Sequence, residues 1–381
     1  MKKIFWTVTI LMYVLACKSI SSQKGISQSK QKRIGIIEDT WIRTKIDSAM
    51  QKNNIPALAV GIIINGKLSA VEGFGHLNRE STIKVDGNTL FQIGSDTKKF
   101  TGIIVNNLVS EGKLSLDEPI TTYLENVLTD EGKRKVSGIT LRILLHHTSG
   151  IPTREPSNKR IDGNPMLIEM TENDIINDIN AMKLDFEPKA KFGYSNFGYA
   201  VVGFICEKIS GQLYADLVKK YITDIYNMPN TVVFPNQKQS QWIAQPYRKD
   251  NRNIKSAPWK MGKMTPAGGI YSNIHDISNL VLAQIRAYQK FNENGNKSDP
   301  LILTENSDTD KAHYGFGLSK VIDESGIRYG HGGDLDGYAS GYVFNPKENL
   351  GLIMLTSSGG RWFGNLEKEI RIYLMENNKH L

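Results

Sequence analysis

Cysteine is scarce in this sequence, which excludes a disulfide-based scaffold. The 381 residues contain only Cys17 and Cys206, so paired-cysteine metal signatures are absent as well. If Cys17 carries a lipid, no intramolecular disulfide can form. Cys206 ends an apolar run that starts at Val201, which favours a buried small hydrophobe over a catalytic thiol.

Several signatures of other protein classes are also missing. The chain has no Walker loop, no His-Glu-x-x-His motif and no internal repeat, so neither a metal nor a cofactor is predicted. It has no Gly-x-Ser-x-Gly elbow, which argues against the ordinary α/β-hydrolase architecture. The formal charge of +8 is not accompanied by an aromatic-basic motif, so a nucleic-acid partner is not predicted either.

The N-terminus has the pattern of an export signal. Two lysines precede an apolar run that ends at Ala16, and residues 1–16 are typical of a secretory signal peptide. The run is shorter than the roughly 20 apolar residues that a spanning helix needs. The small residue before Cys17 resembles a bacterial lipobox, which predicts a protein anchored by a lipid on Cys17 and facing the periplasm or cell exterior. An uncleaved anchor and ordinary secretion without Cys17 remain the alternatives.

Residues 17–33 are rich in Ser, Gln and Lys and contain no acidic residue. This composition predicts a flexible tether between the membrane and a folded body. Its positive charge favours contact with anionic lipid headgroups.

Residues 34–381 are predicted to form one α+β domain. A hairpin with a type I′ turn at Asn65-Gly66 lies near the start, and strands at 337–344 and 350–356 lie near the end. The intervening stretch, about 115–310, shows mostly helical patterns. We therefore expect an antiparallel sheet formed by both chain ends, flanked by helices, with a mainly helical region inserted. Amphipathic helices are predicted at 34–52, 97–111 and 365–375.

A candidate nucleophile lies in the tetrad Ser95-Asp96-Thr97-Lys98. Residues i and i+3 are neighbours on a helix, so the tetrad places an amine beside a hydroxyl, which is one way to activate a serine. The spacing alone is not selective, because it recurs at Ser21/Lys24, Ser27/Lys30, Ser29/Lys32, Ser81/Lys84 and Ser110/Lys113. Ser95 is distinguished by a strand-like approach, a preceding glycine and a following helix, whose free N–H groups favour developing negative charge.

Further motifs follow in order and resemble those of the serine β-lactamase and penicillin-binding protein superfamily, in the branch around class C β-lactamases, DD-carboxypeptidases, D-aminopeptidases and related esterases. The resemblance covers about residues 55–358. It includes Gly73-Phe-Gly75, Phe91-Gln-Ile-Gly-Ser-Asp-Thr-Lys98, Gly112-Lys-Leu-Ser-Leu-Asp-Glu-Pro119, Ile139-Thr-Leu-Arg-Ile-Leu-Leu-His-His-Thr-Ser-Gly150, Phe186-Glu-Pro188, Phe192-Gly-Tyr-Ser-Asn-Phe-Gly-Tyr199, Pro266-Ala-Gly-Gly-Ile-Tyr-Ser272 and Gly330-His-Gly-Gly333. It implies a β-lactamase-like (transpeptidase-like) fold.

The resemblance also implies roles for single residues. Ser95 would be the nucleophile, with Lys98 and Tyr194 as one proton-transfer unit in which the base is left open. Substrate would contact Asn196 and the segment of His331, Gly332, Gly333 and Asp334, where the backbone N–H of Asp334 joins that of Ser95 in an oxyanion hole. The pattern prefers Tyr194 over Tyr271 and His331 over His313, and gives His147 a structural role.

The third motif departs from the Lys-Thr-Gly of many β-lactamases. His331 replaces a fixed cation by a titratable imidazole, and Gly332 lacks the hydroxyl that helps to bind a substrate carboxylate. We therefore expect a peptidase of the DD-carboxypeptidase or D-amino-acid type, acting on wall stem peptides, ahead of a β-lactamase or an esterase. A non-catalytic binding or scaffold homologue is the alternative of a different class. From its ordinary pKa, His331 predicts activity that varies between about pH 5 and 8.

Overall fold

Seven antiparallel strands form a sheet to which both ends of the folded region contribute. The computed structural model describes residues 35, 37–155, 169–295, 297–303, 313–323 and 326–377, and residues 34–381 group into one compact unit. The strands are β1 (Ala57–Ile64), β2 (Lys67–Gly75), β3 (Phe91–Gln92), β4 (Tyr271–Ser272), β5 (His313–Gly315), β6 (Leu318–Asp323), β7 (Gly326–Asp334), β8 (Ala339–Asn345) and β9 (Leu350–Thr356). The large sheet has the order β2-β1-β9-β8-β7-β6-β5, and β3 pairs with β4 separately.

Most of the described helices lie in the sequence between β2 and β5, that is, between the N-terminal and C-terminal strands of the large sheet. They are α1 (Thr40–Asn53), α2 (Thr97–Ser110), α3 (Thr121–Leu124), α4 (Asp130–Val136), α5 (Leu141–Leu145), α6 (Glu172–Ala181), α7 (Asn196–Ser210), α8 (Tyr214–Val218), α9 (Gln237–Ser240), α10 (Thr265–Gly268), α11 (Ile274–Asn294) and α12 (Arg361–Asn377). The antiparallel sheet and the inserted helical region are as the sequence predicts.

Each face of the sheet packs against its own set of helices. Strand side chains alternate between faces, so Leu58 and Val60 join a core with α1 and α12. Their neighbours Ala57 and Ala59 belong to the larger core, which includes α2, α7 and α11. The sheet is thus buried on both faces along β1, and α2 and α7, which carry or begin with Lys98 and Asn196, lie on one of these faces.

Local predictions are confirmed with small shifts in boundaries. Asn65 and Gly66 have φ of 53° and 68°, as a type I′ turn requires. The first helix begins at Thr40, later than the pattern predicts, because the Asp39 side chain caps it by accepting from the Ile42 N–H. The last helix spans Arg361–Asn377 and is longer than predicted.

The predicted signal peptide, Cys17 and tether lie outside the described residues. Among the helices that the structure describes, none combines the length and apolar character needed to cross a bilayer.

Candidate active site

A tight turn places Ser95 at the start of α2. The Ile93 N–H donates to the Ile270 carbonyl at 2.9 Å, which fixes the chain after β3. Gly94 then adopts φ of 52°, a left-handed conformation that favours glycine. A 3₁₀ turn over Gly94–Asp96 leads directly into α2. Ser95 therefore lies where unpaired N–H groups and the helix dipole stabilise negative charge.

Lys98 is completely buried, and its amine has three polar neighbours. Lys98 Nζ lies 3.1 Å from Ser95 Oγ, 2.7 Å from Asn196 Oδ1 and 2.7 Å from the Ala267 carbonyl oxygen. The two oxygens of Asn196 and Ala267 can only accept, so they use two N–H bonds of the amine. The remaining position on the Lys98 nitrogen faces the Ser95 hydroxyl. In a neutral amine this position is a lone pair, which can accept the Ser95 proton.

Burial affects the two candidate bases in opposite ways. Loss of hydration lowers the pKa of Lys98 well below its usual value, with Asp96 opposing the shift. Burial raises the pKa of Tyr194, while its hydrogen bond with Ser95 lowers it by a smaller amount. Burial thus favours the uncharged form of the Lys98 amine and the protonated form of the Tyr194 phenol.

A buried histidine contacts the Tyr194-Ser195-Asn196 segment. The Ser195 N–H donates to His147 Nδ1 at 3.1 Å, and the His147 ring lies 4.3 Å from the Tyr194 ring at a tilt of 41°. Ser195 Oγ caps α7 by accepting from the Gly198 N–H. Lys98 Nζ lies 4.9 Å from the Tyr194 ring centroid. His147 therefore positions the second motif, in keeping with its expected structural role.

His331 is buried and neutral. Its Nδ1 lies 2.7 Å from the Gly332 carbonyl and its Nε2 lies 3.0 Å from the Tyr314 hydroxyl. A carbonyl only accepts, so Nδ1 carries the proton and Nε2 accepts from Tyr314. Burial, reinforced by the charge of Lys98, lowers the pKa of His331 to about 3. The expectation that His331 changes charge between pH 5 and 8 is therefore not supported by its surroundings.

Glycine lets strand β7 lie directly on the nucleophile turn. A Cβ on Gly333 would come within 2.0 Å of the Ile93 carbonyl oxygen, so no side chain fits there. A Cβ on Gly94 would lie 3.2 Å from the Asp334 amide nitrogen, which places that N–H beside the turn that carries Ser95. The pairing of β6 with β7 ends at Gly330, so the edge of β7 beyond it faces the cleft.

A second buried lysine adjoins the site, which sequence reasoning missed. Lys99 is fully buried, its Nζ has no hydrogen-bond partner among the described residues, and it lies 3.3 Å from the Tyr342 ring centroid. Asp96 is equally buried and accepts from Ser340 Oγ at 2.5 Å. The Asp96 carboxylate also lies 3.7 Å from His331 Nδ1. Burial raises the pKa of Asp96 to about 7 and lowers that of Lys99 to about 7, while each charge opposes the shift of the other.

A sequence signal for this pair exists. Asp96 and Lys99 are three residues apart at the start of a helix that then continues with buried residues such as Phe100 and Ile103. Charged residues at such positions are rarely buried unless they are paired.

The cleft at Ser95 is small and has mixed polarity. A cavity of 180 Å³ is lined by Ser95, Thr153, Arg154, Glu155, Asn196, Trp259, Met261, Met264, Ala267, Gly268, Asp334 and Leu335. The sequence predicts Ser95, Asn196 and Asp334 at this site. It does not predict the loop residues Thr153, Arg154, Glu155, Trp259, Met261 and Met264. Arg154 is an exposed cation in this lining. Loop residues of this kind carry no motif spacing, so only the fold brings them to the nucleophile.

Two other sequence candidates lie elsewhere. Cys206 is a free, buried cysteine in α7, and burial raises the pKa of its thiol, so it is not an activated nucleophile. Tyr271 belongs to β4 and pairs with Gln92. In the part of the chain that the structure describes, no group of three or more His, Cys, Asp or Glu side chains is placed to hold a metal ion.

Comparison with known proteins agrees with this geometry. Residues 42–372 match the family described as Beta-lactamase. The chain belongs to the Beta-lactamase family. It is a serine hydrolase of this fold, and Ser95, Lys98, Tyr194 and Asn196 lie together as the family resemblance implies.

Individual relatives are distant but cover most of the chain. Protein flp of Staphylococcus aureus (strain MRSA252) is 25% identical over 344 residues, covering 89% of this chain and 67% of that protein. Teichoic acid D-alanine hydrolase of Staphylococcus aureus (strain NCTC 8325 / PS 47) is 26% identical over 312 residues, covering 81% and 70%. The octameric penicillin-binding protein homologue from Pyrococcus abyssi has the same fold, with a TM-score of 0.71 at 24% identity over 84% of this chain and 73% of that one.

Proposed function

We propose that this protein hydrolyses D-amino-acid peptides of the cell wall through an acyl-Ser95 intermediate, as a DD-carboxypeptidase or D-amino-acid peptidase. The main observation in support is the position of the Lys98 amine. It is hydrogen-bonded to Asn196 and to the Ala267 carbonyl, and it lies within hydrogen-bond distance of Ser95 Oγ. This arrangement supplies a base at the nucleophile without a histidine.

In the acylation step, Ser95 Oγ attacks the substrate carbonyl carbon and its proton passes to Lys98 Nζ. The carbonyl oxygen becomes an oxyanion, stabilised by the N–H groups of Ser95 and Asp334. Tyr194, which is protonated when the substrate binds, donates its proton to the leaving amine and takes up the proton that Lys98 accepted from Ser95. The D-amino acid departs, and water then releases the acyl group by the same transfers in reverse.

The third motif supports a peptide rather than a β-lactam. His331 is uncharged and Gly332 has no hydroxyl, so this motif offers neither a cation nor an O–H to a lactam carboxylate. The edge of β7 beyond Gly330 instead allows an extended peptide to pair with the strand. A substrate carboxylate would meet Arg154, the cation in the lining of the Ser95 cavity.

One relative supports a second candidate activity within the same mechanism. That relative is a teichoic acid D-alanine hydrolase, and an acyl-Ser95 intermediate forms from a D-alanyl ester by the same steps as from a peptide. A β-lactamase of the class C type is the remaining alternative.

The test combines labelling with substrate turnover. Wild type and Ser95→Ala are treated with a fluorophosphonate probe and a fluorescent penicillin, and the adduct site is located by mass spectrometry. We expect labelling at Ser95 and release of D-alanine from a Lys-D-Ala-D-Ala peptide. Faster turnover of a D-alanyl ester would favour the second candidate, and rapid nitrocefin hydrolysis would favour the lactamase. Equal labelling of Ser95→Ala would contradict the nucleophile assignment.

We also propose export and lipid anchoring through Cys17, since the residues before it have the signal-peptide and lipobox pattern. Metabolic labelling of the full chain with an alkyne-tagged fatty acid tests this. We expect incorporation in wild type and its loss in Cys17→Ser, with that variant released from the membrane fraction.

A further inference from the structure

A large groove lies on the opposite side of β7 from the active site. Its volume is 710 Å³, within the range of small-molecule sites. The pair Gly332 and Gly341, directly opposed on β7 and β8, forms the floor. Helix α12 forms a wall through Phe363 and Gly364. His331 and Gly333 also belong to the lining, but their side-chain positions point to the opposite face of the strand from that of Gly332.

Glycine creates this space where packing does not demand it. A Cβ on Gly332 would lie 3.5 Å from the Ser340 carbonyl oxygen, and one on Gly341 would lie 3.4 Å from the Phe363 ring. A Cβ on Gly364 would have no atom within 4 Å. A Cβ is therefore sterically tolerated at all three positions. Glycine in a strand interior weakens the strand and often marks close approach of a ligand.

The lining combines an apolar surface with excess positive charge. The apolar part includes Val321, Val343 and Phe363. The cations are Lys249, Arg328, Arg361 and Arg371, against the carboxylates of Asp334 and Glu367. Ion pairs join Lys249 to Asp334 at 2.9 Å and Arg371 to Glu367 at 3.3 Å. Cations therefore outnumber carboxylates in this lining by four to two.

A buried arginine in this lining has an unsatisfied hydrogen-bond donor. Arg371 is only 7% exposed, and its Nη1 has no hydrogen-bond partner among the described residues. A buried donor without a partner costs about 1–3 kcal/mol, and a guanidinium is well suited to carboxylate and phosphate. Charge and hydrogen bonding thus both favour an anionic group.

From these features, we propose that the groove binds a small molecule with an apolar body and one anionic head group, a carboxylate or a phosphate. The apolar body would lie over the glycine floor against Phe363, and the head group would lie toward the arginines. Since β7 forms both this floor and the wall of the active site, the ligand would contact the strand whose other face carries His331. The proposal does not depend on the reaction at Ser95.

The test uses decanoate and decyl phosphate below their micellar concentrations, with decyltrimethylammonium as the charge-reversed control. Binding is measured by isothermal titration calorimetry on Ser95→Ala, so that covalent capture at the active site is excluded. We expect saturable binding of at least one anion. A comparison of the affinities for decanoate and decyl phosphate then shows whether the groove prefers a carboxylate or a phosphate head group. The cation should bind about tenfold more weakly or worse, a difference of about 1.4 kcal/mol.

Two matched tryptophan variants locate the binding. Gly364→Trp fills the groove, whereas Gly138→Trp adds the same side chain at another glycine with open space around it. We expect about a tenfold or greater loss of affinity in the first and less than about twofold change in the second. Arg361→Glu should weaken the anions and not the cation, and thermal melting verifies that each variant is folded. Absence of binding by both anions, equal affinity for the cation, or unchanged affinity in Gly364→Trp would each overturn the proposal.

Discussion

Lys98 and Lys99 are consecutive residues of α2, yet their amines lie in two different environments. Lys98 Nζ lies 3.1 Å from Ser95 Oγ, whereas Lys99 Nζ lies against the Tyr342 ring on the sheet side. Both side chains are fully buried, and burial disfavours their charged forms. The first lysine adjoins the nucleophile, and the second balances the Asp96 carboxyl behind it.

Lys98→Met should abolish acylation while the fold is retained. The methionine keeps the length of the buried side chain and removes the only amine beside Ser95 Oγ among the described residues. We expect kcat/KM to fall by about 10²–10⁴-fold, the range for loss of a general base, as measured by peptide hydrolysis and by the rate of fluorophosphonate labelling. Lys98→Arg is the matched control, because a guanidinium keeps a charge but cannot act as a neutral base. Substantial activity in either variant would count against Lys98.

The pH profile should follow Lys98 rather than His331. A lowered Lys98 pKa means that the neutral amine, the active form, accumulates well below pH 10.5, so kcat/KM should rise with pH and then level off. His331 has a pKa of about 3 and adds no step between pH 5 and 8. We expect His331→Gln to lower the amplitude of the profile and to keep its inflection. An inflection that vanishes in His331→Gln would show that the imidazole titrates.

Asp96 and Lys99 should behave as a coupled pair in stability. Removal of one partner leaves a buried charge without compensation, which costs about 3–5 kcal/mol. We expect Asp96→Asn and Lys99→Met each to lower the free energy of unfolding by about that amount, and the double variant to regain most of it. Urea denaturation of wild type, the two single variants and the double variant gives the interaction energy by a double-mutant cycle. Additive losses would mean that the two side chains do not interact.

The same pair predicts the pH dependence of stability. The pKa of Asp96 is raised from 3.8 to about 7, so its contribution is complete below pH 3.8 and is lost as the pH rises to 7. The pKa of Lys99 is lowered from 10.5 to about 7, so its contribution is complete above pH 10.5 and is lost as the pH falls to 7. The pair therefore lowers stability most near pH 7, and the double variant should lack this minimum in denaturation at pH 5, 7 and 9.

Gly333→Ala should damage catalysis more than Gly332→Ala. The first added methyl would come within 2.0 Å of the Ile93 carbonyl oxygen and push β7 away from the nucleophile turn. The methyl group on Gly332 would point to the other face, 3.5 Å from the Ser340 carbonyl oxygen. Displacement of the Asp334 N–H should cost about 10²–10³-fold in kcat, with a loss at least tenfold smaller for Gly332→Ala. Similar losses in the two variants would argue against this packing role.

Much of the site was accessible from sequence because it is carried by local motifs. The spacing of Ser95 and Lys98 on one helix face, and the turn chemistry of Asn65-Gly66, depend on residues close in the chain. The ambiguous choices, Tyr194 over Tyr271 and His331 over His313, were made by resemblance. Arg154 and Trp259 escaped prediction because loops that line a cleft have no periodic pattern.

The sequence by itself predicts Ser95 as the nucleophile, from its strand-like approach, preceding glycine and following helix. It also determined the order of the motifs and the division into a two-ended sheet with inserted helices, since these follow from local spacing and alternation. Only the tertiary structure decided the protonation states. Lys98 and His331 lose water when α2 and β7 pack together, and this desolvation disfavours the charge on each. The burial of Asp96 against Lys99 likewise exists only after residues more than 240 positions apart, Asp96 and Ser340, have come into contact.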